Sequence, residues 1–165
     1  MARHPARRSS PPAEQTAGLP PSMRDRVPFL LFRAAQASLA LANQMLRGVG
    51  LCARQAGILT MVTELGPMTQ KDLGQALHVD RTTMVALLDD LENKGYVQRQ
   101  RHPGDRRAFL IQPTQAGRAV KTEAVRILDR QQALFLAGLT RAERERLAVL
   151  LKQLHDSLPG PDSSS

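Results

Sequence analysis

Asp80, Arg81, Thr82 and Thr83 put a carboxylate, a guanidinium and two hydroxyls on consecutive residues. A run of cations follows: Lys94, Arg99, Arg101, Arg106 and Arg107. Such groups suit recognition better than bond-making. Hydroxyls and guanidinia hydrogen-bond to base edges, and cations pair with phosphates. The groups that catalysis needs are poorly supplied. No nucleophile–base arrangement, Gly-rich phosphate cradle or carboxylate pair stands out. His4, His78, His102 and His155 are scattered without metal-ligand spacing. No enzyme activity, cofactor or metal is expected.

The charge is placed as a polyanion binder would place it. Of the formal +8, residues 1–26 hold five Arg against Glu14 and Asp25. Residues 94–107 hold five cations against Asp105 alone, and the remainder of the chain is nearly balanced. A local basic patch is the electrostatic footprint of nucleic-acid binding. The plainer alternative is a solubilising surface.

These residues must be held by local structure. Thr69, followed by Asp72, caps one helix that ends near His78, with Asp standing in for Glu in a capping box. Asp80 caps a second helix running to about Lys94, stopped by Gly95. Two helices this close form a helix-turn-helix over 69–95. Leu73, Leu77, Val79, Met84 and Leu87 are its inner skeleton, Gly74 is small at the close approach, and Leu88 and Leu91 extend the buried stripe. His78 stands in the turn where Gly is usual, and it tolerates the left-handed region better than most residues. Arg81, Thr82, Thr83, Ala86 and Asp90 then line the exposed face. Next, "YVQRQR" and "RAFLIQP" flank "HPGD", a hairpin or wing over 96–113. Arg106 or Arg107 at its tip could enter a narrow minor groove, with Asp105 orienting one of them. Lys94, Arg99 and Arg101 suit phosphate contacts; solvated charge, or an i,i+4 pair with Asp90 for Lys94, is the alternative.

The rest of the 165 residues frames this unit. With 42% apolar content the chain is expected to form one domain with a core. Residues 1–26, rich in Pro and Arg, read as a disordered basic arm, and 159–165 as a disordered tail. Residues 27–158 read as the folded domain. A long apolar helix over 27–48 is expected to be buried on two sides. A second helix begins the DNA-binding unit at 53, which runs to 113. Thr114 caps a long helix from about Gln115 to Gly138, and Thr140 with Glu143 starts a last one reaching about Leu158. No signal peptide or membrane-length apolar run is evident, and the lone Cys52 excludes an internal disulfide. A cytoplasmic setting without membrane contact is expected.

The segment "GPMTQKDLGQALHVDRTTMVALLDDLENKGYVQRQRHPGDRRAFLIQPTQAG" resembles the MarR family of winged helix-turn-helix transcription regulators. "DRTT", "LENKGYV", the wing-tip "DRR" and "TQAG" occur together and in order, and "LCARQAGIL" is similar to the family's second-helix start. The resemblance spans roughly Val27 to Leu158. It implies a mostly α fold with a small β-wing, flanked by N- and C-terminal dimerisation helices over 27–48 and 115–158. It also implies a homodimer on a near-palindromic site of double-stranded DNA. The stripes Val120, Ala124, Ile127, Leu128, Leu134 and Phe135, and Leu147, Leu150, Leu151 and Leu154, suit such an interface or a core within one chain. The family has polar or basic residues where this chain has Val85, Ala86 and Asp90.

The resemblance further implies a repressor released by a small aromatic or phenolic anion. Phe32, Gln36, Arg54 and Gln55 are the candidate contacts, with core, surface or capping roles as their alternatives. Cys52, at a helix start, offers redox sensing as another mode of control. An effector-independent architectural DNA binder and a protein–protein adaptor are the competing readings.

Overall fold

The computed structural model describes residues 20–105 and 108–157. The expected tail and most of the expected arm lie outside the described residues. Two compact units divide the chain between Ala37 and Ser38.

In the first unit, α1 (Pro21–Arg24) is a single helical turn. Pro21 supplies a φ already suited to the first helical position, and the amides of Met23 and Arg24 donate to the Pro20 carbonyl at 2.9 and 3.1 Å. This corrects the expectation that residues up to 26 lack structure. The helix α2 (Val27–Leu46) follows. It was expected to be buried on two sides. Instead only Ala42 and Leu46 are buried along it, while Val27, Leu30, Phe32 and Leu39 are exposed. The apolar surface is there, but the chain does not cover it.

The second unit contains the remaining elements: a 3₁₀ turn (Arg47–Val49), α3 (Ala53–Glu64), β1 (Met68–Thr69), α4 (Gln70–Ala76), α5 (Arg81–Asn93), β2 (Val97–Arg101), β3 (Phe109–Pro113), α6 (Gln115–Phe135) and α7 (Arg141–Asp156). The hairpin forms as expected, with Arg99 opposite Ile111 and Arg101 opposite Phe109. β1 was not foreseen. Two residues are too short to carry a strand pattern, yet Met68 pairs with Ile111, giving an antiparallel sheet of order β1-β3-β2.

The core lies where α3, α5, α6 and the sheet meet. Ile58, Leu59, Val62, Leu73, Met84, Leu88, Leu91 and Ile111 are fully buried. Each such side chain stabilises the fold by about 1.5–3 kcal/mol relative to exposure. Of the residues expected inside the helix-turn-helix, Leu73, Val79, Met84, Leu88 and Leu91 are buried, and Leu77 and Leu87 are partly buried against them. Along α6 only Ala124 and Ile127 of the expected stripe are buried, with Leu134 and Phe135 exposed. α7 buries nothing, and Val149, Leu150, Leu151 and Leu154 all face outward. Among the described residues no helix is long and apolar enough to cross a membrane.

Candidate nucleic-acid interface

The turn between α4 and α5 is set by two residues. His78 has φ 49°, the left-handed conformation inferred from its place in the motif. Gly74 lies so close to the next segment that a Cβ there would sit 3.1 Å from the Val79 carbonyl. The Val79 amide in turn donates to Gly74 O at 2.9 Å. Any larger residue at position 74 would push the two helices apart.

Both helix starts are capped. Thr69 Oγ1 accepts from the Asp72 amide at 3.2 Å. The expected reciprocal bond is absent: the Thr69 hydroxyl donates to Asp72 Oδ2 at 2.7 Å, because Asp is one methylene shorter than the Glu of a full capping box. At α5, Asp80 Oδ1 accepts from the Thr83 amide at 2.9 Å and Oδ2 from the Thr83 hydroxyl at 2.6 Å. These bonds, the hydroxyl first, hold the Asp80 carboxyl below the usual carboxylate range. Thr83 was expected on the DNA-reading face. Its hydroxyl is committed to the cap, whereas Arg81, Thr82, Val85 and Ala86 are exposed.

Two cations expected as phosphate contacts are tied down by α5. Arg99 on β2 donates to Asp89 Oδ1 at 2.5 Å and also bonds Glu92. The Asp89 bond, more than any other contact, strengthens the hold on its proton. A guanidinium between two carboxylates offers little net charge to a phosphate. Arg99 instead joins the wing to the recognition helix. Lys94 Nζ donates to Asp90 Oδ2 at 2.5 Å and to the Gly50 carbonyl at 2.7 Å. Asp90, expected on the exposed face, also accepts from Gln55 Nε2 at 2.5 Å. Lys94 first, and then Gln55, hold its carboxyl below the ordinary value.

Arg101 remains exposed on β2, opposite the exposed Phe109. Asp105 is exposed near the wing tip; Arg106 and Arg107 lie outside the described residues. Between α4, the start of α5 and the wing runs an open groove of about 1100 Å³, lined in part by Gln75, His78, Arg81, Arg99, Asp105 and Phe109. The far end of α5 is locked onto α6. Thr114 Oγ1 donates to Gly95 O at 2.7 Å and accepts from the Gly117 amide at 3.0 Å. A Cβ on Gly117 would collide with the Tyr96 carbonyl.

Of the expected ligand contacts, Phe32, Gln36 and Arg54 are exposed and Gln55 is buried. Gln55 Oε1 accepts from the Cys52 amide at 2.9 Å, closing the start of α3, so both ends of its amide are occupied. Cys52 is half-buried. Sequence reasoning missed Asp89 and Glu92 as the partners of Arg99. The available signal was a strand residue that must point back at the preceding helix, flanked by acids one turn apart.

Comparison with known proteins agrees with this geometry. The MarR family model matches residues 51–109. The repressor NicR of Pseudomonas putida is 28% identical over 149 residues, covering 90% of this chain and 92% of that protein. BpsR of Bordetella bronchiseptica, whose structure concerns regulation of DNA binding by 6-hydroxynicotinic acid, is 27% identical with a TM-score of 0.76 over 84% of this chain and 99% of its own. A MarR variant of E. coli complexed with operator DNA is 27% identical with a TM-score of 0.72, covering 83% and 98%.

Proposed function

The chain belongs to the MarR family of winged helix-turn-helix transcription regulators, which are DNA-binding proteins and not enzymes, and from that premise we propose that it is a homodimeric repressor released from a near-palindromic operator by a small aromatic anion. The observation that carries this reading is the division of labour on α5. Its inner side is fully buried through Met84, Leu88 and Leu91, its acids are spent on Arg99 and Lys94, and Arg81, Thr82, Val85 and Ala86 are left open. A helix clamped on every side but one is a rigid reader for a major groove.

In this reading Arg81, Thr82 and Ala86 meet base edges, Thr83 acts through the cap, and Arg101, Arg106 and Arg107 meet phosphate or minor groove, with Asp105 at the wing tip. Lys94 and Arg99 hold the reader in place. The dimer is supported by the uncovered leucines of α7, because an amphipathic helix with no buried residue needs another surface. An effector is supported by the BpsR relative, whose DNA binding 6-hydroxynicotinic acid regulates.

The test is binding to the protein's own upstream DNA against a random duplex, each across a salt series, with oligomeric state measured by sedimentation. A dimer that prefers its upstream fragment and is displaced by an aromatic carboxylate such as 6-hydroxynicotinic acid supports the proposal. Equal affinity for both duplexes would favour an architectural DNA binder.

A further inference from the structure

The open face of α5 is chemically uneven. Its first turn offers the Arg81 guanidinium and the Thr82 hydroxyl. Its middle offers Val85, 37% exposed, and the exposed Ala86. The next residue on that face, Asp89, has its carboxylate bound to Arg99. The middle of the reading surface therefore presents methyl groups and no available hydrogen-bonding side chain.

Only one base presents an apolar group at the major-groove edge: thymine, through its C5-methyl. The N7, O6 and N6 groups of purines and the N4 of cytosine lose water without gaining a partner when covered by methyls, which is unfavourable. A Val–Ala patch continuous with Arg81 and Thr82 thus accepts thymine and disfavours the other edges. We propose that Val85, with Ala86 beside it, is a specificity-determining residue that reads the C5-methyl of thymine near the centre of each half-site. This rests on the DNA-binding reading above. A protein partner on the same patch is the competing occupant, and the experiment separates them.

The probe is the footprinted fragment of the protein's own upstream DNA, with each thymine in turn replaced by deoxyuridine. That exchange removes one methyl and leaves every base-pairing group unchanged. One or two positions per half-site should bind about fourfold more weakly, the equivalent of ~0.8 kcal/mol for one buried methyl at about 1.4 kcal/mol per tenfold. With Val85→Ala the penalty at those positions should fall below about twofold on the same scale. This variant keeps its helix, because Ala is the better helix former. The same exchange in a random duplex should have no effect.

No sensitive thymine in a fragment that still binds would overturn the inference while leaving the DNA-binding reading intact. So would a sensitive thymine whose penalty is unchanged in Val85→Ala, or an equal penalty in the random duplex. Failure to bind any fragment would instead overturn the DNA-binding reading itself.

Discussion

Gln55 Nε2 donates to Asp90 Oδ2 at 2.5 Å, joining the first turn of α3 to the last turn of α5. The same Gln55 amide accepts from Cys52 N, and the same Asp90 carboxylate accepts from Lys94, which also holds Gly50. Next to it, the Ala53 amide donates to Asn43 Oδ1 at 2.8 Å. A short polar chain thus runs from the end of α2 to the end of the recognition helix. Because Gln55 is buried, its amide cannot turn to water instead.

Reversing donor and acceptor should test this link. Gln55→Glu keeps an oxygen for Cys52 N but sets a carboxylate against Asp90. It should destabilise the protein by about 1–2 kcal/mol, the cost of a buried partner left unmade. Adding Asp90→Asn restores a donor and should recover most of the loss. Thermal melts of the two single variants and the double decide it; no recovery in the double would show that the pair is not coupled.

The same pair predicts a reversal in pH dependence. In the native protein Asp90 titrates below its ordinary value. Its contribution is therefore present above the unfolded pKa, near 4, and is lost as pH falls through the folded one. In Gln55→Glu the facing carboxylates raise each other's pKa. That variant should gain stability as pH falls from 7 toward 5, while the wild type stays nearly flat.

Arg99 and Arg101 lie on the same strand but should behave differently toward salt. Arg99 is already neutralised by Asp89 and Glu92, whereas no carboxylate is bonded to Arg101 within the hydrogen-bond and ion-pair networks described above. Arg101→Ala should flatten the slope of log affinity against log salt by about 0.9, one phosphate contact. Arg99→Ala should weaken operator binding by roughly tenfold through a displaced wing, a loss of about 1.4 kcal/mol, with the slope unchanged. Its melting temperature should move little, because a half-exposed ion pair contributes about 0–1 kcal/mol. A changed slope for Arg99→Ala would return it to the phosphate-binding set.

The exposed leucines of α7 carry the dimer prediction. Leu150→Glu, at a site 47% exposed in the single chain, should leave that chain folded and convert the dimer to monomer. Operator affinity should fall on the order of 10²-fold or more, since two linked half-site contacts become one. Sedimentation and operator titration of the same sample check both halves. A dimer that persists would place the interface elsewhere.

Read alone, the sequence determined what depends on neighbours along the chain. The caps at Thr69, Asp80, Thr114 and Thr140, the left-handed His78, the hairpin and the buried stripe Met84–Leu88–Leu91 all follow from local spacing, because helix caps, turns and helical periodicity act within a few residues. Only the tertiary structure decided which charges are free. Arg99 and Lys94 look like Arg101 in a sequence, but folding brings Asp89, Glu92, Asp90 and Gly50 against the first two. Gln55 and Asp90 are 35 residues apart, so nothing in the spacing of either could announce the bond. Pairing across that distance is set by how α3 and α5 meet in the core, and a short β1 or a solvent-facing α2 is settled in the same way, by what the rest of the fold does or does not cover.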